Sequence, residues 1–285
     1  MVKFVASYTL LKYFGESRFF NYLFVVNPLK ISEIRDINLM GIAYRTLVMP
    51  NKTTKQTSKK RFKELDNLTF DLLEKKVNPK VLDVGISSGL TTYELFQLLD
   101  SKRKNFQLDA TDKYSKIKLY KTWFYCTIIN NQKIPISIYW GGLYLSNLMS
   151  WKYFTSKILF KIISKFIIVN PKKIMEVPLF YSGFTKLVEK NKVRFFDHDV
   201  LKPFQFTNYD FIRVMNIINL SYFTEDQIQK AIANLRSTLK EGGVLMVGRT
   251  FHNQNHVSIY IKKGSKLVPK QHVNNGSEIN EIVIN

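Results

Sequence analysis

Hydrophobic positions along the chain change period several times, and the changes mark elements. Phe62, Leu65, Leu68, Leu72 and Leu73 recur at helical spacing up to Val77 and stop at Asn78-Pro79, which predicts a helix ahead of a strand. Val81-Leu82-Asp83-Val84 reads as that buried strand, Gly85-Ile86-Ser87-Ser88-Gly89 as a small-residue turn, and Leu90 to Leu99 as a second helix. Phe106 to Asp112 predicts a second strand, Lys192 to Phe196 a third, and Tyr209 to Asn216 a buried fourth. Thr224 caps an amphipathic helix through Ile228, Ile232, Leu235 and Leu239, with Glu225 and Asp226 suited to the positive end of its dipole. Glu241-Gly242-Gly243 ends it, Val244 to Gly248 is a fifth strand, and Val257 to Ile261 and Glu281 to Ile284 read as two closing strands.

Two stretches interrupt this alternation. Met1 to Pro50 mixes aromatic and aliphatic residues such as Phe4, Tyr8, Leu11, Phe20 and Phe24 in the manner of amphipathic helices, one of them ending at Asn27-Pro28. It has neither the uncharged core nor the small-residue cleavage site of a secretory signal. Asn51 to Arg61 is a polar, basic linker carrying Lys52, Lys55, Lys59 and Lys60, and the best candidate for a phosphate contact; Lys102 to Asn105 form a basic turn. Tyr120 to Lys190 is too long for one crossover and reads as a helical insertion. Its charge-free run Ile136 to Trp151 falls short of the roughly 20 apolar residues a spanning helix needs. Tyr153 to Val169 sets Lys157, Lys161 and Lys165 four apart among Ile158, Phe160, Ile162 and Phe166, a basic amphipathic helix that covers a core or forms a lid, or lies on an anionic membrane. The domains are therefore 1–58, a helical extension with its linker, and 59–285, with an insertion at 120–190.

Composition adds charge and compartment. Lys and Arg number 43 against 22 Asp and Glu, a net charge of +21, which draws phosphates, acidic lipids or acidic proteins. Lysine is spread over every segment, so a solvated surface is favoured over a nucleic-acid groove. Cys126 is the sole cysteine and belongs to no zinc-binding spacing, so the expectation is a reduced, cytoplasmic protein with a structural thiol, with peripheral membrane contact through 153–169 as a further reading.

The chemistry concentrates at the glycine turn, where a residue without a Cβ lets a ligand approach the main chain. Neither the dinucleotide fingerprint nor the P-loop fits, because Gly85 and Gly89 are separated by Ile-Ser-Ser and followed by Leu90-Thr91. Asp112 stands where doubly wound folds keep an acid for ribose hydroxyls, or it caps the following turn. The order Asp83-x-Gly85-x-x-x-Gly89, acidic strand-two end, strand three with an acid, strand four, helix, Gly-Gly and strand five resembles the class I S-adenosylmethionine (SAM) dependent methyltransferase superfamily over about residues 60 to 285, with Ser87 where many members carry a middle glycine. Ala110-Thr111-Asp112 and Arg213-Val214-Met215-Asn216 are similar, more narrowly, to strings of the chemotaxis-receptor glutamate methyltransferases. The resemblance implies an α/β fold: a Rossmann-like, doubly wound, mostly parallel sheet with an N-terminal helical extension and a helical insertion after strand two.

Position by position, the resemblance implies SAM as cofactor. Asp83, Gly85, Ser87 and Gly89 would border its methionine moiety and Asp112 its ribose. Asp199, with Asp197 competing, would face the adenine amino group, and Val200 would lie beside the ring. Asn216 would line the transferred methyl, with Asn219, Tyr222, Arg249 and His252 nearby; Asn216, Tyr222 and His252 are the catalytic candidates, and His198 is a further base. No metal is implied, since strand four ends in Asn216 and not in an acid. The expected reaction is in-line methyl transfer to an unidentified acceptor. The alternative is a non-catalytic protein of the same fold that uses its basic insertion to bind a partner or a membrane.

Overall fold

The computed structural model describes residues 2–31, 34, 36–49, 54, 55, 57–102, 105–148 and 150–284. In chain order, β1 (Lys3–Ala6), α1 (Tyr8–Phe14), α2 (Arg18–Leu23), β2 (Phe24–Val26), α3 (Pro28–Ile31) and α4 (Ile37–Thr46) precede α5 (Lys63–Leu73), β3 (Lys80–Val84), α6 (Leu90–Lys102) and β4 (Gln107–Asp112). There follow β5 (Lys116–Lys121), β6 (Tyr125–Ile129), β7 (Pro135–Trp140), β8 (Leu143–Ser146), α7 (Phe154–Ser164) and β9 (Ile174–Pro178). The last third holds α8 (Ser182–Glu189), β10 (Arg194–Asp197), β11 (Tyr209–Met215), α9 (Glu225–Thr238), β12 (Leu239–Phe251), β13 (Gln254–Lys263), β14 (Lys266–Val273) and α10 (Asn280–Ile284). These elements form two compact units, 1–59 with 114–182, and 60–113 with 183–285.

The second unit is built on a seven-stranded sheet in the order β10-β4-β3-β11-β12-β13-β14. Its first five strands are parallel, so the order is that of a doubly wound sheet reversing between β3 and β11. Every residue of β11 is buried, as a central parallel strand covered on both faces requires. Helix α9 seats Ile228, Ala231, Ile232 and Leu235 in the core that also holds Leu82, Val84, Ile212, Val214, Leu245 and Val247. Thr224 and Gln227 close a reciprocal capping box at its start. Leu239, expected to continue this helix, instead opens β12.

The end of the chain corrects one expectation. Glu281 to Ile284 is not a strand but part of α10, where Val283 joins Ile279, Ile228 and Leu235 in the core. The strand beside β13 is β14, from a stretch whose side chains are mostly exposed and which therefore carries little hydrophobic alternation.

The first unit departs further from the sequence reading. It holds a second seven-stranded sheet, β2-β1-β8-β7-β6-β5-β9, antiparallel except for β1 against β2. The N-terminal stretch read as helical thus also supplies two strands, and the insertion read as helical supplies the end of β5 and the four strands β6 to β9 beside α7. The physical reason is burial on both faces: in β6 and β7 nearly all side chains are buried, which erases the period-two signal. The charge-free run 136–151 lies largely in the β7–β8 hairpin, turned by Gly141 and Gly142 at φ 52° and 82°. Helices α1 and α4 cover this sheet's core through Leu11, Met40, Ile42 and Tyr44, packed with Leu119, Ile128 and Tyr139.

Of the basic linker, Asn51, Lys52, Thr53 and Gln56 lie outside the described residues, as do Arg103 and Lys104 of the basic turn. Lys55 and Thr57 are buried and Thr54 bridges Val48, so this part of the linker is packed. No described helix is long and apolar enough to cross a membrane.

Candidate functional site

The candidate site forms within the second unit, at the carboxyl ends of β3, β4, β10 and β11, where the strand order reverses. In an open α/β sheet this reversal leaves a crevice outside the strand ends. The turn leaving β3 has three residues in the left-handed region: Gly85 at φ 74°, Ser87 at 57° and Gly89 at 75°. The amides of Gly85 and Ile86 donate to the Thr111 carbonyl at 2.7 and 3.1 Å. The Ser87 amide donates to Asp112 Oδ2 at 2.7 Å, so the acid at the end of β4 fastens the turn through a charge-assisted bond.

The two glycines are required by packing. A Cβ on Gly85 would lie 2.2 Å from Cγ1 of Ile217, and one on Gly89 would lie 2.5 Å from Cγ of Phe184. Side chains of the protein itself therefore rest against the faces that the missing Cβ atoms leave bare.

Asp83 occupies the interior. Arg213 Nε donates to its Oδ1 at 2.9 Å and Nη2 to its Oδ2 at 2.6 Å, and Thr92 Oγ1 donates to Oδ2 at 2.7 Å. Arg213 also pairs with Asp66 of α5, and all three charged side chains are buried. Burial works against the Arg213 charge, but Asp83 and Asp66 outweigh it and raise its pKa. Burial pushes the Asp66 carboxyl up to about 6; Arg213 opposes this and Asp83 adds to it. Sequence reasoning missed this triad. Its signals were an acid beside Leu65, Thr69 and Leu73 on the buried face of α5, and an arginine in the middle of a buried strand.

Beside Asp112, the His198 amide donates to the Asp112 carbonyl at 3.2 Å. The His198 ring lies 4.0 Å from that of Phe204; its Nε2 is buried with no partner among the described residues, and burial lowers its pKa. Asp199 pairs with Lys113 at 2.7 Å and accepts from the Leu201 amide at 3.2 Å. Burial pulls its pKa up, but these two bonds prevail and leave it lowered. Asp197 is exposed, opposite Asp112 in the β10–β4 register. Val200 is packed in the core, and its carbonyl accepts from Asn234 Nδ2 at 3.0 Å.

Asn216, at φ 62° beyond β11, is tied to β12. Its amide donates to the Gly248 carbonyl, and its Oδ1 accepts from the Thr250 amide, each at 2.8 Å. Thr250 Oγ1 in turn bonds Asn255 at 2.8 Å and accepts from Arg61 Nε at 3.3 Å. Arg249 pairs with Glu278, and Asn219 Oδ1 accepts from the Ser221 amide, closing the turn that leads to Tyr222. Tyr222 is exposed in that turn, and His252 is exposed in the β12–β13 turn against Phe251. No hydrogen bond joins either to Asn216 among the described residues. The structure thus gathers Gly85, Ser87, Gly89 and Asp112, and holds Asn216 in a polar group with Thr250, Asn255 and Arg61.

The chain matches no protein-family model, and no curated sequence is similar to it. Among solved structures it is similar to a TehB-like SAM-dependent methyltransferase from Corynebacterium glutamicum, at 14% identity over 68% of this chain and 71% of that one, TM-score 0.32. It is also similar to the N-methyltransferase NodS from Bradyrhizobium japonicum in complex with S-adenosyl-L-homocysteine, at 15% identity over 66% and 61%, TM-score 0.31. The PH0226 protein from Pyrococcus horikoshii matches at 13% identity over 84% and 86%, TM-score 0.37. In two further structures the shared part spans only 37% and 44% of the other chain. Similarity at this level is too low to transfer an activity.

Proposed function

We propose that the unit formed by 60–113 and 183–285 binds SAM and transfers its methyl group to an acceptor. The observation that carries this reading is Asp112: a carboxylate at the end of the strand next to β3, bonded to the Ser87 amide of the glycine turn, beside the reversal of strand order. A carboxylate can accept hydrogen bonds from both hydroxyls of a ribose.

The residues fit the adenosyl half of the cofactor. Asp112 supplies the anionic acceptor, and the buried Nε2 of His198, next to it in space, is a polar atom awaiting a partner. Asp199 would serve the adenine amino group. Asp83 would act through the backbone, its oxygens being taken by Arg213 and Thr92, and Val200 would contribute packing beneath the ring.

Bound SAM would supply a sulfonium leaving group, so the protein's task is to hold an acceptor in line with the methyl carbon. Asn216, fixed through Thr250, would orient that acceptor. An ionised carboxylate acceptor would need no base; an alcohol or ammonium would pass its proton to His252 or Tyr222. A second reading, a non-catalytic protein of this fold, is favoured by Ile217 and Phe184 resting against the glycine faces.

Calorimetric titration of SAM and S-adenosylhomocysteine into the protein, with Asp112→Asn and Asp112→Ala as folded controls, tests the proposal. Micromolar binding that both variants lose supports it. Absence of binding to the folded wild type overturns it.

A further inference from the structure

Helix α7 presents two apolar faces, and its own unit uses one. Inward, Phe160 packs with Ile138 and Leu145, ringed by Leu159, Ile163 and Ile167, and Ser156 Oγ donates to the Tyr144 carbonyl at 3.3 Å. Outward, Phe154, Ile158 and Ile162 follow one another at four-residue spacing and are 63%, 41% and 53% exposed, and Phe166 just beyond the helix is 80% exposed. A solvated helix face carries polar residues at such positions, so a continuous apolar row there marks a contact surface.

A second apolar tip stands at the same end of the sheet. Trp123, 93% exposed, and Phe124 form the β5–β6 turn with ring centroids 4.6 Å apart. Tyr125 lies opposite Trp140 across the β6–β7 ladder and packs in the small core that holds Ile163 and Ile167. The turn and the C-terminal end of α7 are thereby brought to one rim.

The charge around this surface is one-sided. Between Asp112 and Glu176 the chain has eleven lysines and no Asp or Glu. Lys161 and Lys165 are exposed on the outward side of α7, and Lys157 is partly so.

We propose that the outward face of α7 and the Trp123–Phe124 turn dock on an anionic lipid membrane surface. Interfacial helices combine an apolar face that enters the acyl boundary with lysines that reach the headgroups, and tryptophan favours that boundary. A second copy of the chain is disfavoured because pairing this surface with itself would set the lysines against one another. A nucleic acid would engage the lysines but leave Ile158 and Ile162 without apolar surface to bury.

The test is co-sedimentation of the full chain with vesicles of phosphatidylcholine containing phosphatidylserine, and with phosphatidylcholine alone. The wild type is expected to sediment with the anionic vesicles only, to be released by salt, and to shift its tryptophan emission to the blue on binding. Ile158→Asp/Ile162→Asp should weaken binding at least about tenfold through lost apolar burial, and Lys161→Glu/Lys165→Glu more than about fivefold per lysine. These positions are exposed, and circular dichroism checks that the variants fold. No binding by the wild type, or binding that neither variant weakens, overturns the proposal. If the isoleucine variant changes only the sedimentation velocity of the free protein, the surface joins copies of the chain and the lipid assignment fails. If the lysine variant loses only RNA retention in a filter assay, the assignment fails in favour of nucleic acid.

Discussion

Arg213 grips both oxygens of Asp83, with Nε 2.9 Å from Oδ1 and Nη2 2.6 Å from Oδ2, and the two side chains are buried together at one register position of β11 and β3. The acid that opens the glycine turn is thus held by the neighbouring strand, and the turn departs from a rigid base. Asp66 completes the arrangement from α5.

Replacing Arg213 by Met would leave two buried carboxylates without a cation. Breaking a buried ion pair from one side costs about 3–5 kcal/mol. Urea unfolding of Arg213→Met should show a loss of that order, partly recovered when Asp66→Asn and Asp83→Asn are added.

The same triad makes stability depend on pH. Asp66 has its folded-state pKa raised from 3.8 to about 6 by burial, so the folded protein holds that proton more tightly than the unfolded chain does. The stabilisation from this group is fully present below about pH 4 and is lost as pH rises through about 6. Asp66→Asn, neutral throughout, should therefore gain on the wild type by about 2 kcal/mol between pH 4 and pH 7. Unfolding free energies of both proteins across that range check this; a constant difference would refute it.

Gly85→Ala would drive a methyl group into Ile217 and hold alanine at φ 74°. Overpacking of this kind costs about 1–3 kcal/mol. Adding Ile217→Ala should remove the steric part of the loss and leave about 1 kcal/mol of backbone strain, as thermal or urea unfolding would show.

His198 has its pKa lowered by burial, so its neutral form is favoured in the folded protein. The associated stability is present above the ordinary histidine pKa and is lost as pH falls through the depressed value. An imidazole nitrogen NMR titration should place the His198 midpoint below that ordinary value. Binding of an adenosyl ligand at Nε2 should move this midpoint, whereas a purely structural histidine would not respond.

Much of the second unit was legible in the sequence because its signals are local. The run from Val81 to Gly89, the acid at the end of β4, and the spacing of Ile228, Ile232 and Leu235 behind a threonine cap each occupy a few consecutive residues. They appear in the structure as a strand, a turn, a strand end and a buried helix face. The candidate site was legible as far as Asp112. The uses of Asp83, Gly85 and Gly89 were not, because their partners Arg213, Ile217 and Phe184 lie about a hundred residues or more away in the chain.

The first unit was the least legible part. Strands buried on both faces carry no alternation, so β6 and β7 read as undifferentiated apolar chain, and pairing residues near the N-terminus with residues beyond 140 is a long-range contact that no local pattern announces. By itself the sequence determined the glycine turn, the strand-end acid, the helix caps and the one-sided charge of the stretch from Lys113 to Met175, since each follows from residue type and near spacing. Only the tertiary structure decided which side chains fill the glycine faces, which acid is bound in the interior, and which face of α7 is left uncovered, because these depend on what folding brings against each residue from elsewhere in the chain.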